Sequence, residues 1–124
     1  MDPRHSFRIK VIQNLYAFSF NIKKDGFFYK KDPLTVAIIK KISKIDQLIS
    51  KYASKFPIKK IAKTDLSILR WAVYELNFAM KLPPKVVINE AVELAKELSG
   101  ERSFAFINAV LGKILSESKS CNNV

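Results

Sequence analysis

The side chains best suited to acid–base or nucleophilic chemistry are scarce in this sequence and stand far apart. His5 is the single histidine and Cys121 the single cysteine, and each lies near one end of the chain. A nucleophile and its base must come within hydrogen-bond reach of each other, and terminal segments hold such geometry poorly. We find no phosphate-binding loop, paired-cysteine metal motif or glycine-rich dinucleotide turn. The sequence therefore predicts a protein that is not an enzyme and that uses no metal or other cofactor.

One helical line of side chains has the chemistry of single-stranded RNA recognition instead. Its members are spaced by four, three and four residues and are Arg102, Phe106, Ala109 and Lys113. That spacing places them on one side of a helix. A ring flanked by cations can stack on a base while the cations bind the backbone phosphates. A boundary phenylalanine tucked against the core explains the same spacing equally well, so both interpretations stay open.

The positive charge is concentrated in the first half of the chain. The net charge is +11, and residues 1–63 hold 15 Lys and Arg against 4 Asp and Glu, whereas residues 64–124 hold 7 of each. Such asymmetry indicates either a polyanionic partner or a solvated lysine surface. The segment that contains Arg4, His5 and Arg8 could neutralise phosphates, although it could equally be an ordinary charged first turn.

Glu75 is a charged residue that interrupts an otherwise apolar helical line. A buried carboxylate without a partner is costly. Three explanations follow: Glu75 reaches solvent, it pairs with a local cation, or it faces a partner molecule.

Hydrophobic periodicity predicts the helices that must position these residues. Five segments result, at about 7–22, 34–55, 64–81, 84–98 and 102–116, with a short helix or turn at 59–63 and a connector at 21–33. In the connector, Phe27, Phe28 and Tyr29 could form a helical turn or a docking loop. Phe56 would end the buried stripe of the second segment, and Gln13 and Tyr16 would pack against a second layer of helices or present polar tips at its edge.

The third segment is apolar over most of its circumference and should lie in the middle of the core. Thr64 would be its N-cap, Met80 would close its buried stripe, and Ser67 and Arg70 would lie on its polar face. On the next segment, the glutamates at 90, 93 and 97 would face solvent. Short connections between amphipathic helices predict a compact all-α bundle of about six to seven helices.

Length and residue usage bear on the cellular setting. A chain of 124 residues fits one domain. A single cysteine suits a reducing compartment, and the 12-residue uncharged run 11–22 is too short to span a bilayer. That run also lacks the pattern of a signal peptide, so we expect a cytoplasmic protein with no membrane partner.

Three stretches of sequence resemble the transcription antitermination factor family NusB. The first, RIKVIQNLY at 8–16, is similar to the opening helix of that family. The second combines LRWAVYEL at 69–76 with PKVVINEAVELAK at 84–96 and is the most specific. The third, SFAFINAVL at 103–111, is similar to the family's Phe-Val-Asn-Gly-Val-Leu.

The resemblance implies two small helical bundles packed together, at about 1–56 and 57–118, followed by a tail at 119–124. It further implies binding of single-stranded boxA RNA of nascent ribosomal RNA, with a small-subunit ribosomal protein as partner, in the antitermination complex on RNA polymerase. Matched by position, the residues implied at or near the RNA are Arg4, His5, Arg8, Gln13, Arg102 and Phe106, and we add Lys113 from the helical line above. Those implied to face the ribosomal protein are Tyr16, Glu75 and Arg102.

The sequence departs from the family pattern at several positions. His5 and Ser6 stand in a run that is often richer in arginine, Ala109 replaces the usual glycine, and the connector near Gly26 is short. Arg102 stands where the family often has an acidic residue close to both partners. Two other functions remain as alternatives. The family's fold also occurs as an RNA-binding appendage of ribosomal RNA cytosine methyltransferases, although no methyltransferase domain is present here, and the chain could be a helical protein-interaction scaffold that does not recognise RNA.

Overall fold

The secondary structure is α-helical in a computed structural model that describes residues 3–22, 26–27, 29–53 and 55–122, with side chains as far as residue 117. Its α-helices are α1 (Pro3–Phe18), α2 (Pro33–Lys40), α3 (Ile42–Tyr52), α4 (Lys63–Tyr74), α5 (Pro84–Leu98) and α6 (Glu101–Asn122). A 3-10 turn (Ile58–Lys60) precedes α4 and a π-helical turn (Glu75–Ala79) follows it. The predicted all-α class is confirmed. Among the described residues, no helix combines the length and apolarity needed to cross a membrane.

Helix α4 is the centre of the bundle, as its apolar circumference predicts. Every residue from 65 to 73 is buried, and α4 packs against each of the other five α-helices. A helix enclosed by neighbours on all sides must bury its whole circumference. The helices that carry the candidate site therefore share one central support.

The buried side chains form one continuous core that draws on all six helices. Its largest fully buried members include Leu15, Ile38, Ile45, Leu69, Trp71, Leu94 and Ile107. Burying a leucine or isoleucine stabilises a fold by roughly 1.5–3 kcal/mol, so this core is the main source of stability. The division into subdomains near residue 56 stays a prediction.

Several helix boundaries differ from the prediction. Helix α1 spans Pro3–Phe18, several residues nearer the N-terminus than predicted, and α6 continues to Asn122, past the predicted end at residue 116. The long second segment is two helices, because the backbone of Lys41 leaves the helical region with φ −104° and ψ 11°. This break allows α2 and α3 each to pack against α4.

Two residues that were predicted to end buried stripes, one before α4 and one after it, are exposed instead. Phe56 lies beyond the end of α3 and is 48% exposed, so its predicted place in the core is wrong. Met80 is 71% exposed because the π-helical turn alters the residue spacing and Met80 itself adopts a left-handed backbone with φ 51°. Neither residue keeps the helical register on which the prediction relied.

The predicted polar face of α4 is also wrong at Ser67 and Arg70, both of which are buried. The Ser67 hydroxyl donates to the backbone carbonyl of Lys63 at 2.7 Å. Arg70 donates from Nε and Nη2 to the two carboxylate oxygens of Asp46 on α3, at 3.0 and 2.9 Å. This two-pronged pair satisfies Nε and Nη2 of a buried guanidinium and joins α3 to α4, whereas Nη1 is buried without a hydrogen-bond partner. The N-cap of α4 is Ala62 rather than Thr64.

The connector between α1 and α2 docks on the bundle. The buried Asn14 donates to the carbonyl of Tyr29 at 2.9 Å and to the Thr35 hydroxyl at 3.0 Å, and it accepts from the Tyr29 N–H at 3.1 Å. Phe27 is buried, whereas Phe28 lies outside the described residues. The described part of the connector thus agrees with a docking loop.

Candidate nucleic-acid interface

His5, in the first turns of α1, lies between two carboxylates of α5. Its Nδ1 is 2.5 Å from Oε1 of Glu90 and its Nε2 is 2.7 Å from Oε2 of Glu97. Hydrogen bonds to Glu90 and then Glu97 raise the pKa of His5 above its ordinary value, against a small opposing effect of burial. With a carboxylate at each ring nitrogen, the imidazolium form is favoured, because only that form donates from both nitrogens. The charge of His5 is therefore compensated within the protein.

Arg8, one turn further along α1, is also turned inward. Its Nη1 lies 3.6 Å from Oε1 of Glu90, and its guanidinium carbon lies 5.7 Å from the ring centroid of Trp71. The side chain is only 13% exposed. A guanidinium over an indole face is a favourable cation–π contact, so Arg8 has structural contacts as well as a predicted role at RNA. The prediction that Glu90 faces solvent is wrong.

Glu75 is buried, which rules out the explanation that its carboxylate reaches solvent. Burial raises the pKa of Glu75, while the charges of Arg8 and then Lys81 lower it. The local-cation explanation therefore fits this environment, with Arg8 as the main cation. The predicted contact of Glu75 with a protein partner stays a prediction.

Gln13 and Tyr16 face an open groove instead of a second layer of helices. Tyr16 is 43% exposed and meets Phe20 edge to face, with ring centroids 5.0 Å apart. We name this surface the Tyr16 groove; it has a volume of about 400 Å³ and is lined by Ile12, Gln13, Tyr16, Ala17, Phe20, Ile22, Thr64 and Leu98. The expectation of tight packing is wrong here, and the polar tip of Gln13 lies at an exposed edge.

Phe106 is partly buried against the core and partly open. Its ring meets that of Phe56 edge to face, with centroids 5.6 Å apart and planes at 85°. We name this pair the ring corner. A cavity of about 260 Å³ beside it is also lined by Lys60 and Asp65. The ring packs on the core, as a boundary phenylalanine would, and it also borders an open cavity. Stacking of a base on Phe106 stays a prediction.

The remaining residues of the α6 line are on the surface. Arg102, in the first turn of α6, and Lys113, further along the same helix, are both exposed, as is Arg4 near the start of α1. Lys60 lines the cavity of the ring corner, and Lys55 and Lys59, which are near Phe56 in the sequence, are also exposed. Exposed cations therefore lie both on α6 and in the segment that carries Phe56.

The first turn of α4 lies between the two parts of the predicted RNA surface. Thr64 lines the Tyr16 groove together with Gln13 of α1. The next residue, Asp65, lines the cavity of the ring corner and accepts from the Ser103 hydroxyl of α6 at 3.1 Å. The structure therefore places the surfaces of Gln13 and Phe106 on either side of one turn of α4, and His5 contacts Glu97, which precedes the groove residue Leu98 in the last turn of α5.

Four contributors to this surface were not expected from the sequence. Phe56 was assigned to the core, Lys60 was only one of several lysines, and Glu90 and Glu97 were assigned to solvent. The aromatic-basic composition of residues 55–60 is the one sequence feature that could have drawn attention to Phe56. Among the described residues, no group of three His, Cys, Asp or Glu side chains could hold a metal ion.

Comparison with known proteins gives concordant matches. The family model of the NusB family matches residues 8–116. The transcription antitermination protein NusB of Thermodesulfovibrio yellowstonii is 44% identical over 96% of this chain and 78% of its own length. NusB of Clostridium botulinum strain Kyoto is 51% identical, but the match covers 57% of this chain and 50% of that protein. The chain thus spans about half the length of the first curated relatives that it matches.

Two solved structures share the fold. NusB of T. maritima superimposes with a TM-score of 0.79 at 30% identity, covering 94% of this chain and 92% of that one. A crystal structure of antitermination factors NusB and NusE in complex with double-stranded RNA superimposes with a TM-score of 0.73 at 27% identity, covering 92% of this chain and 96% of that one.

Proposed function

Because the chain belongs to the NusB family, we propose that it is a transcription antitermination factor. It binds a single-stranded, boxA-type segment of nascent ribosomal RNA together with a small-subunit ribosomal protein. The complex joins RNA polymerase in the cytoplasm and supports processive transcription. The support from relatives is that the solved NusB–NusE assembly contains RNA.

The observation that carries this proposal is the partly open ring of Phe106 with cations on both sides. Arg102 lies one turn before the ring on α6, and Lys60 lines the cavity beside it. Stacking of a base on an aromatic ring contributes roughly 1–3 kcal/mol, and each lysine or arginine that neutralises a phosphate adds affinity that falls with salt. The arrangement supports binding of a short single strand, with Lys113 extending the cationic line.

The N-terminal cations contribute differently from one another. Arg4 is exposed on the surface, whereas His5 and Arg8 are partly buried where they contact Glu90 and Glu97. RNA phosphates must compete with those carboxylates for His5 and Arg8. We therefore assign Arg4 to direct phosphate contact, and His5 and Arg8 to the positive field at the edge of the site. Gln13 would supply a polar contact from the neighbouring groove.

The protein partner is assigned to the surface that includes Tyr16, Glu75 and Arg102. An exposed apolar groove with polar edges is typical of a protein-binding surface, and Tyr16 is nearly half exposed in the Tyr16 groove. Arg102 stands at the start of α6, from which it could contact both RNA and protein. Because Glu75 is buried, it would support this surface from inside the protein.

A titration of boxA-type RNA tests the proposal. RNA of boxA type and a scrambled RNA of the same composition are titrated at several salt concentrations, with and without the ribosomal protein. We expect the boxA-type RNA to bind more tightly when the partner is present, and the affinity to fall with salt. Equal affinity for the two RNAs in the presence of the partner would refute specific recognition.

The Tyr16 groove favours one alternative, a helical scaffold that binds protein without recognising RNA. Its apolar lining offers a partner surface that does not depend on the lysines. Retained binding of the ribosomal protein, together with no RNA binding even at low salt, would favour the scaffold.

A further inference from the structure

Phe56 is an aromatic side chain that the fold leaves unusually open. It is 48% exposed, although its spacing from the buried residues of α3 predicts a core position. Its ring packs against Phe106 at 85°, so the two rings form two walls that meet at a right angle. A flat molecule can stack on one wall while its edge faces the other, and edge-to-face contact is a favourable aromatic geometry.

The cavity beside these rings has the size and lining for one small ring system. Its volume is about 260 Å³, just below the roughly 300–1,000 Å³ of pockets for drug-sized ligands. The lining is Phe56, Lys60, Ile61, Ala62, Asp65 and Phe106. Most of these side chains are apolar, so the cavity favours a neutral planar group over an anion.

Asp65 strengthens that preference. Its side chain is 7% exposed, and its Oδ2 accepts from the Ser103 hydroxyl at 3.1 Å. The carboxylate lines the cavity and its Oδ1 has no hydrogen-bond partner, so its negative charge disfavours a phosphate inside the cavity. A phosphate is instead attracted by Lys60, which lines the cavity and is exposed, and by the exposed Lys55 and Lys59, which are near Phe56 in the sequence.

We propose that the ring corner of Phe56 and Phe106 holds one unpaired base of the bound RNA, with Lys60 at the adjacent phosphate. The inference rests on the proposed function, adds Phe56 to the site and gives Lys60, one of several lysines that the sequence offers for RNA, a specific place beside the base. A base supplies a flat neutral face, and its backbone supplies the anion, so a single-stranded nucleic acid satisfies both parts of the surface.

The first test compares ring variants in RNA titrations without the protein partner. Phe56→Leu removes the stacking surface and keeps apolar bulk, whereas Phe56→Tyr keeps the ring. The matched control is Phe20→Leu, because Phe20 is also 48% exposed but lies in the Tyr16 groove. We expect Phe56→Leu and Phe106→Leu each to weaken binding by roughly 5- to 100-fold, and Phe56→Tyr and Phe20→Leu to bind within about twofold of the parent protein.

The second test locates the base directly by cross-linking. One position at a time in the RNA is replaced by 5-iodouridine, which cross-links on irradiation to an aromatic ring stacked on it. We expect one position to cross-link to Phe56 or Phe106 and to lose that cross-link in the corresponding leucine variant. Lys60→Gln should flatten the dependence of log K on log salt by about 0.7, the value for one phosphate of a single strand.

The outcomes separate this inference from the proposed function. If Phe56→Leu binds and cross-links like the parent while Phe106→Leu loses both, then Phe56 is not part of the site and the inference is overturned, although RNA binding stands. If Phe56→Leu and Phe20→Leu weaken binding equally, the effect is not specific to the ring corner and the inference is again overturned. If the parent protein binds no RNA, both the inference and the proposed function are overturned.

Discussion

Nε2 of His5 lies 2.7 Å from Oε2 of Glu97, so the first turns of α1 are tied to the last turn of α5. The other ring nitrogen is occupied by Glu90. A cation predicted to bind RNA is thus already bound by the protein's own carboxylates. The stability of the fold and its affinity for RNA should therefore both depend on the protonation and the pairing of His5.

The contribution of His5 to stability depends on pH. Its pKa in the folded protein is raised above 6.5, so folding takes up protons at this site. The stabilisation is fully present below pH 6.5, the unfolded value, and is lost as pH rises through the folded pKa. We expect about 0.5–1 kcal/mol, the size of a partly exposed ion pair.

Urea unfolding of the parent protein and of His5→Gln, measured across the neutral range, checks this prediction. The parent should lose stability relative to His5→Gln as pH rises above 6.5. The raised pKa of Glu75 also makes stability fall with pH, from about 4.5 upward, and that effect is common to both proteins. A constant difference between the two proteins at all pH values would contradict the prediction.

Removing a competing carboxylate should tighten RNA binding. In Glu97→Gln, one of the two carboxylates that hold His5 is gone while Glu90 remains, so the N-terminal cations are freer to attract phosphates. We expect RNA affinity at low salt to rise by about two- to fivefold, as for one surface ion pair. The titration is done near pH 6, below the ordinary pKa of histidine of about 6.5, so that His5 stays protonated in the variant.

Glu93→Gln is the matched control for Glu97→Gln. Glu93 is on the same helix and is 63% exposed, but it pairs with Lys96 at 3.5 Å instead of with α1. Each variant loses one negative charge, so a nonspecific effect of charge should change the RNA affinity of both by the same amount. An equal gain in affinity for the two variants would exclude competition at His5 as the cause.

The spacing of apolar residues within single helices was enough to predict the fold class and the position of Phe106. The apolar circumference of α4 placed it at the centre, and the four-three-four spacing put Phe106 beside the buried stripe of α6. Both depend on side chains within one helix, where a regular period relates sequence to direction. Within these two helices the sequence predicted which apolar side chains are buried, but it failed for the polar Ser67 and Arg70, which are buried in the regular part of α4.

The contacts that the sequence could not predict join helices that are distant along the chain. His5 and Glu97 are 92 residues apart, and His5 and Glu90 are 85 apart; their meeting depends on how α1 crosses α5. Phe56 and Met80 were misassigned because the helical period was extended past the ends of regular helix. Tertiary crossing and irregular backbone, rather than weak local preference, account for these errors.

The ion pair between Asp46 and Arg70 should be essential to stability. Arg70 is only 8% exposed, so Asp46→Ala leaves a buried guanidinium without its partner. Breaking a buried pair from one side costs about 3–5 kcal/mol, and we expect the lower end because water can reach the 26% exposed site of Asp46. Chemical denaturation of the variant measures the loss.

The double variant Asp46→Ala with Arg70→Met supplies the control for this pair. It removes both charges and replaces the guanidinium with an apolar side chain, so it should be more stable than Asp46→Ala alone. A double variant less stable than the single one would show that Arg70 contributes mainly through other contacts, of which its position 5.6 Å from the Phe18 ring is the clearest.

Arg102→Gln should weaken RNA binding through charge alone. Arg102 is exposed in the first turn of α6, so its loss should change the free energy of unfolding by less than about 0.5 kcal/mol. If Arg102 contacts one phosphate, the slope of log K against log salt should fall in magnitude by about 0.7. Lys85→Gln should leave the slope unchanged. Lys85 is exposed at the start of α5, the end of that helix opposite its connection to α6. RNA titrations from low to moderate salt measure both slopes, and the same slope for parent and Arg102→Gln would remove Arg102 from the phosphate contacts.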